Sequence, residues 1–167
     1  ENTASWMGPG RLEMWDGAET WGDGTLEAVF RVSGAPAARS PLFTVVTRAR
    51  RPVWSKYGIS HTQLTDGQFM TVVANPAESR LEIERWTVGA DGKRTRAAVA
   101  PLGPLDGRRH TLAVAMAGPA TKVLFDGTEA AAYADTPAPG GAFGIRAAPG
   151  LSASLCVDLD SIVMRAP

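Results

Sequence analysis

The stretch RHTLAVAMAGPATKVLFDGTEAAAYA at residues 109–134 decides the fold. Over residues 109–117 its large apolar side chains alternate with small or polar ones, which is the period-two pattern of a half-buried β-strand. Asp126-Gly127 is a two-residue turn signal, because a type I′ hairpin turn needs positive φ at both central residues. The stretch therefore predicts one strand, followed by a hairpin in which residues 122–125 pair with residues 129–134.

Similar runs continue on both sides of this stretch. They are short, rich in alternating apolar residues and bounded by glycine, proline, asparagine and aspartate, as in an antiparallel sandwich. Asp91-Gly92 is another hairpin signal, Asp16-Gly17 ends an early strand, and residues 101–108 read as an irregular loop. No run of ten or more residues has a helical apolar period. We expect ten to thirteen strands in a single domain over residues 1–167, folded as an all-β, two-sheet antiparallel β-sandwich.

Composition and charge exclude several classes of protein. A chain with 44% hydrophobic and 20% charged residues is globular. Its net charge of zero argues against a nucleic-acid partner, and no apolar run reaches the ~18 residues of a membrane span. Cys156 is the sole cysteine, which excludes an internal disulfide, and its strand setting predicts a small core residue. Charge is uneven, however: residues 28–65 hold six basic residues and no acidic one.

The order of features in the last third of the chain resembles the concanavalin A-like lectin/glucanase superfamily. The resemblance covers about half of the chain. Within the superfamily, the laminin-G-type and levan-binding-type modules are the most similar to it. The elements that carry it are His110 at the start of a strand, Asp126-Gly127 at the end of a later one, Asp135, the glycine-led Gly144-Ile145-Arg146, and Asp158 or Asp160 in the terminal strand.

This resemblance implies a jelly roll and a function connected with glycans. The leading expectation is a non-catalytic carbohydrate-binding module of a secreted, extracellular bacterial protein that acts on glycans. Its partners would be a poly- or oligosaccharide and an adjoining catalytic domain. Two alternatives stay open: a small glycoside hydrolase or polysaccharide lyase of the same fold, and a structural or interaction sandwich that packs on a catalytic domain. A fold of this kind does not by itself select among them.

Two glutamates raise the question of catalysis. Glu82 and Glu84 lie two apart in a strand pattern, so they share a face at about 6.5–7 Å, close to the spacing of paired glycosidase carboxylates. Glucanases of the resembled superfamily carry Glu-x-Asp-x-x-Glu, and this chain has Thr87 in place of the last glutamate. We expect Arg80 and Arg85 to neutralise both acids on a solvated strand face, and no catalytic residues.

Aromatic residues beside cations predict the binding site. Sugar rings stack their C–H faces on aromatic rings, while their hydroxyl groups need nearby donors and acceptors. Such a mixture is found within about a dozen residues of the basic block, and a further pair on a later strand extends it. The expected glycan site consists of Trp54, Tyr57, His61, Arg51, Lys56, Arg85 and Trp86. The competing interpretation places Trp54 and Trp86 in the core, and the pattern leaves open whether the glycan is anionic or neutral.

A structural calcium is the one cofactor that the resemblance implies. The expected ligands are Asp158 and Asp160 of the terminal strand, with Asp16 and Asp23 as further oxygen donors of the right kind. No compact acidic loop of the EF-hand type accompanies them. His110 is expected to have a structural role, with its imidazole hydrogen-bonded to a nearby backbone group.

Overall fold

A computed structural model describes residues 4–7, 13–34, 36–50, 66–88, 94–134, 141–147 and 155–167. Twelve strands and one 3-10 turn are found in these ranges, and none of their helical segments is long and apolar enough to cross a membrane. The strands are β1 (Ala4–Met7), β2 (Glu13–Trp21), β3 (Gly24–Gly34), β4 (Ser40–Arg50), β5 (Asp66–Asn75), β6 (Arg80–Val88), β7 (Arg94–Pro104), β8 (Arg109–Ala117), β9 (Ala120–Phe125), β10 (Thr128–Ala134), β11 (Gly141–Ala147) and β12 (Leu155–Arg165).

The strands form two six-stranded antiparallel sheets that pack face to face. Sheet I has the order β1-β12-β3-β8-β9-β10, and sheet II has the order β2-β11-β4-β5-β6-β7. Alternate residues of both sheets point inward and form one apolar core, exemplified by Phe30 of sheet I, which meets Phe43 of sheet II edge-on at 4.9 Å between ring centroids. The predicted all-β antiparallel sandwich is confirmed, and the other residues of each strand are left to form two outer faces.

The predicted hairpin is present in sheet I. Asp126 and Gly127 have φ of 48° and 79°, as a type I′ turn requires, and Thr128 pairs directly with Phe125. The Asp126 carboxylate also accepts the backbone N–H of Thr111 at 2.8 Å, while the Asp126 N–H donates to the Thr111 carbonyl at 2.9 Å. The turn is therefore fastened to β8 as well as to its own two strands.

His110 belongs to the same fastening, but its partners differ from those expected. The buried imidazole lies between two carboxylates, 2.9 Å from Asp126 and 3.1 Å from Asp106, and stacks on Phe125. The expected bond to a backbone group is not among its contacts. A neutral imidazole can donate to only one of these carboxylates, whereas an imidazolium donates to both.

Three local expectations are corrected at sheet edges and on an outer face. Strand β2 continues through Asp16-Gly17 to Trp21, with an irregular register against β11, because an edge strand tolerates a bulge at glycine. Strand β7 extends to Pro104, since proline is compatible with an edge strand, whose outer N–H groups need no sheet partner. Cys156 is half-buried between core positions and lies outside the core cluster. Asp91-Gly92 lies outside the described residues.

Arg48 is buried near the C-terminal end of β4. Its side chain is 2% exposed, and its backbone is left-handed, with φ of 53°. The guanidinium donates to the Gly22 carbonyl at 2.6 Å and to the Asp23 carboxylate at 3.0 Å. Asp23 also accepts the Gly118 N–H at 2.9 Å, so this one carboxylate compensates a buried cation and connects β3 with the β8–β9 turn.

Replacing Gly127 tests the turn. A Cβ at this position meets no atom within 4 Å, so the cost of Gly127→Ala comes from the positive φ alone. We expect a loss of about 1–2 kcal/mol in the free energy of unfolding, measured by urea denaturation. Gly22→Ala is the matched control, because its Cβ is equally free of contacts and no positive φ is involved. Equal stability losses in the two variants would contradict the turn assignment.

Replacing Asp23 tests the buried charge. Asp23→Ala leaves the buried Arg48 guanidinium without its carboxylate; because the Asp23 side chain is itself 46% exposed, we expect a loss of about 2 kcal/mol, less than for a pair buried on both sides. Asp23→Asn keeps an acceptor oxygen for both the guanidinium and the Gly118 N–H, so its loss is expected to be smaller. Thermal and urea unfolding of the two variants measure the difference. An unchanged free energy of unfolding in Asp23→Ala would show that the Arg48–Asp23 pair does not contribute to stability.

Candidate functional site

Two glutamates lie buried on the outer face of sheet II. In β6 they alternate with Leu81 and Ile83, which belong to the core, so Glu82 and Glu84 point away from it. They are nonetheless only 3% and 4% exposed. The expected solvated strand face is therefore wrong, and two buried carboxylates need partners to compensate their charge.

Glu82 is surrounded by hydrogen-bond donors. Its Oε1 accepts the Asn75 amide at 2.9 Å and the Nε and Nη2 groups of Arg80 at 3.0 and 2.9 Å. Its Oε2 accepts Nε and Nη2 of Arg39 at 3.1 and 2.7 Å. Five N–H groups thus converge on one carboxylate, and both of its oxygens are occupied.

Glu84 shares one of these arginines and adds another. Its Oε1 lies 2.6 Å from Nη1 of Arg39 and accepts Nη1 of Arg96 at 2.9 Å. Arg39 therefore bridges both glutamates, and Arg96 reaches the second one from the edge strand β7. We refer to Arg39, Arg80 and Arg96 as the arginine cluster.

The environment of Glu82 fixes its charge. Burial opposes ionisation, but hydrogen bonds from one amide and two guanidinium groups outweigh it and lower the pKa of the Glu82 carboxyl to about 2. A general acid needs a pKa near the operating pH. Glu82 is consequently an ionised anchor and not a proton donor at neutral pH.

Local structure explains how these side chains meet. Strands β5 and β6 are joined by the 3-10 turn Pro76–Glu78, which ends at Ser79 with a left-handed φ of 50°. Asn75 pairs with Arg80 across this turn, and its amide binds Glu82 instead of capping the turn. The turn therefore places two of the donors beside the first glutamate.

The arginine cluster faces solvent while its acids lie beneath it. The side chains of Arg39, Arg80 and Arg96 are 36%, 37% and 51% exposed, against 4% and 5% for those of the two glutamates. Neighbouring positions of the same outer face, Val46, Phe69 and Val73, are buried. The accessible part of this region is therefore a group of fixed guanidinium groups, with the half-exposed Glu78 carboxylate beside Arg80 at its margin.

The outer face of sheet I has a different charge arrangement. Arg31 pairs with Asp158 at 2.7 Å, and Arg109 pairs with Asp160 at 2.7 Å. Arg31 contacts an acid on the neighbouring strand β12, whereas Arg109 of β8 reaches across β3 to the same strand, and both acids remain partly exposed. The arrangement is typical of surface ion pairs, which contribute little to stability individually.

Sheet II also separates two residues that the sequence placed together. Trp86 pairs with Phe69 and Arg96, so it lies on the outer face, next to the arginine cluster. Arg85 is turned to the opposite side, where its guanidinium carbon lies 4.8 Å from the ring centroid of Tyr133 in sheet I. Only Trp86 of this pair shares a face with the cluster.

The other predicted glycan-site residues lie outside the described residues. Arg51, Trp54, Lys56, Tyr57 and His61 belong to the segment at residues 51–65 that follows β4. Their role in binding stays a prediction.

The predicted calcium ligands have arginine partners. Asp158 and Asp160 bind Arg31 and Arg109, and Asp23 binds Arg48. In the part of the chain that the structure describes, no group of three or more acidic, histidine or cysteine side chains is arranged to hold a metal. The predicted calcium thus has no assembled ligand set among these residues.

Three residues of the site carried no clear signal in the sequence. Arg39 is one cation of the basic block, Arg96 lies in an alternating strand, and Asn75 precedes a proline as a turn residue. The only usable signal was the pair of glutamates itself, since two acids on one strand face need cations from neighbouring strands. Of the two cations expected from the sequence, Arg80 does bind Glu82, whereas Arg85 is turned to the other side of the sheet, and Arg39 and Arg96 were not predicted.

The sheet order and the packing of the two sheets define a concanavalin A-like jelly roll. The chain is similar to galectin LEC-6 from Caenorhabditis elegans at 13% identity and a TM-score of 0.56, covering 97% of this chain and 96% of that one. It is similar to carbohydrate-binding module CBM66 from Bacillus subtilis at 12% identity and a TM-score of 0.57, covering 98% and 82%.

An enzyme shares the same architecture. A glycoside hydrolase family 16 endo-glucanase from Bacteroides ovatus matches at 10% identity and a TM-score of 0.60, covering 92% of this chain and 73% of that one. No protein-family model and no curated protein matches the sequence. At such low identity these likenesses show the fold, so the function must be argued from the residues of this chain.

Acid titration tests the role of Glu82. Because its pKa is lower in the folded chain than its unfolded value of about 4.3, its stabilisation is complete above that value and is lost as the pH falls toward 2. The shift corresponds to roughly 3 kcal/mol at neutral pH. We expect Glu82→Gln to flatten the fall in unfolding free energy between about pH 4.3 and 2, measured by urea denaturation.

Glu78→Gln is the matched control for this titration. Glu78 is half-exposed and contacts Arg80 at 2.6 Å at the margin of the cluster. Its variant removes a half-exposed carboxylate from the same guanidinium, and we expect a smaller loss of unfolding free energy at pH 7 than in Glu82→Gln. A wild-type slope in Glu82→Gln would show that Glu82 is not the acid that controls stability in this range.

Proposed function

We propose that this chain is a non-catalytic carbohydrate-binding domain of a secreted bacterial protein that acts on glycans. It would bind a poly- or oligosaccharide and hold an adjoining catalytic domain near it. The observation that carries the proposal is the arginine cluster, fixed by buried carboxylates on the outer face of sheet II next to Trp86.

The chemistry of the cluster suits sugars. Guanidinium N–H groups donate to hydroxyl, carboxylate or sulfate oxygens in a fixed geometry. An indole at the margin of the cluster offers a surface on which the C–H face of a sugar ring can stack. The neighbouring structures named as a galectin and a carbohydrate-binding module support the choice of glycans as the ligand class.

The proposal keeps the residues predicted from the sequence. Trp54, Tyr57 and His61, with Arg51 and Lys56, would extend the site from the segment after β4 and add aromatic stacking surfaces. Proximity of this segment to the cluster is part of the proposal. The Arg85 guanidinium faces the other side of sheet II, where it lies against the Tyr133 ring. We therefore do not expect Arg85 to contact a ligand on the outer face.

A glycan-active enzyme of the same fold is the second candidate. It is favoured by the shared outer face of Glu82 and Glu84 and by the likeness to an endo-glucanase. Against it, both oxygens of Glu82 are occupied by cationic donors, and its pKa is about 2. A retaining pair needs two carboxylates that can act on the substrate, and Glu82, whose oxygens are both occupied and whose side chain is 4% exposed, is unsuited to either role.

A glycan array with acidic and neutral polymers tests the proposed function. We expect saturable binding to at least one polymer and no release of reducing ends or unsaturated products from the bound ones. Cleavage that is abolished by Glu82→Gln would establish the enzyme instead. Absence of binding to every glycan would favour the third possibility, an interaction domain that packs on a protein partner.

Aromatic variants test the composition of the site. Trp54→Ala, Tyr57→Ala and Trp86→Ala are each expected to weaken binding of the best array ligand. We expect the dissociation constant to rise about tenfold in each, the effect of losing one aromatic stacking contact with a sugar ring. Leu124→Ala, on the outer face of sheet I, is the control for loss of a partly buried apolar group. Titration calorimetry with thermal unfolding of each variant separates binding from stability. Wild-type affinity in all three would place the site elsewhere.

A further inference from the structure

Around Arg39 and Arg96 the arginine cluster presents donors to solvent, while the two carboxylates that fix these donors are buried. The oxygens of Glu82 accept five N–H groups, and Oε1 of Glu84 contacts two guanidinium groups. With side chains 4% and 5% exposed, these carboxylates cannot accept a hydrogen bond from a sugar hydroxyl. A ligand that reaches this region from solvent therefore meets guanidinium N–H groups.

We propose that the arginine cluster recognises an anionic glycan, through carboxylate or sulfate oxygens that accept from Arg39, Arg80 and Arg96. The inference rests on the proposed function and specifies its ligand class. A neutral sugar presents hydroxyl groups that donate as well as accept, and beside Arg39 and Arg96 the carboxylates that could accept from them are buried. The half-exposed Glu78 carboxylate lies at the Arg80 end of the cluster. An anionic group presents acceptors alone.

Donor capacity remains on each arginine. A guanidinium has five N–H groups. The glutamates engage Nε, Nη1 and Nη2 of Arg39, whereas Arg96 contacts Glu84 through Nη1 only. Arg96 is also the most exposed of the three, at 51%. The half of the cluster nearest to β7 and Trp86 is therefore the part best able to bind an oxyanion.

The buried glutamates also fix the direction of these donors. An arginine in solution must lose rotamer freedom when it binds, and this cost weakens binding. Here Nη1 of Arg39 and Nη1 of Arg96 lie within 2.9 Å of the same Glu84 oxygen, so two guanidinium groups are held side by side before any ligand arrives. Paired, oriented guanidinium groups suit bidentate recognition of an oxyanion.

The test uses matched probes that differ in charge. The intact protein is titrated calorimetrically with polygalacturonate, its fully methyl-esterified form, dextran sulfate and neutral levan. We expect one of the anionic polymers to bind at least about tenfold more tightly than both neutral ones, with affinity falling as salt rises, because exposed charges are screened over ~10 Å at 0.1 M. The carboxylate and sulfate probes show which anionic group is preferred.

Three arginine variants locate the binding. Arg96→Gln leaves Glu84 in contact with Arg39 and is expected to weaken anionic binding about tenfold, as loss of one charge-assisted hydrogen bond implies. Arg80→Lys keeps the charge and removes the planar fork, so a smaller loss is expected. Arg109→Gln, on the outer face of sheet I, removes an exposed arginine from an ion pair of similar length and is expected to leave binding unchanged. Thermal unfolding of each variant confirms that it is folded.

The outcomes separate this inference from the proposed function. Equal or tighter binding of levan or of the esterified polymer overturns the anionic preference and leaves a carbohydrate-binding domain. Anionic binding that Arg109→Gln weakens as much as Arg96→Gln overturns the assignment to the cluster and indicates a diffuse charge effect. Failure of all four polymers, together with a blank array, overturns both.

Discussion

Burial of two carboxylates on the outer face of sheet II is the constraint on which the rest of this surface depends. Glu82 and Glu84 lie on one strand and must be compensated by groups that strand does not supply in full. Compensation comes from the connection before β4, the β5–β6 turn and the edge strand β7, through the arginine cluster and one amide. A local alternation in β6 thereby connects four separate parts of sheet II, and their positions are interdependent.

The same compensation favours binding over catalysis. A carboxylate that accepts five N–H groups is held in one orientation and one charge state, and both effects remove it from acid–base chemistry. The buried carboxylates instead fix the direction of the guanidinium groups, and part of each guanidinium side chain remains exposed. The contacts that stabilise this surface are therefore the same contacts that orient the groups of the proposed binding site.

The sequence predicted local features well and long-range partners poorly. Alternation and the turn at Asp126-Gly127 were sufficient for the sandwich and its hairpin, because both depend on near neighbours. Arg39 was invisible as a partner of Glu82, since 43 residues separate them and only the sheet order brings them together. Arg85 and Trp86 were grouped as neighbours, yet successive strand residues point to opposite faces, and a register shift against β7 falls between them.

A jelly roll offers two broad outer faces, and the fold alone does not say which of them functions. Here the arrangement of charge distinguishes them. On sheet I, arginines and acids are paired one to one, and the acids remain accessible, so a ligand would have to displace existing partners on a mixed surface. On sheet II Glu82 and Glu84 lie beneath the cations, and around Arg39 and Arg96 solvent meets guanidinium groups; the half-exposed Glu78 lies at the Arg80 margin. Specific recognition is favoured by a pre-oriented set of groups of one charge, which is the reason for placing the proposed binding site on sheet II.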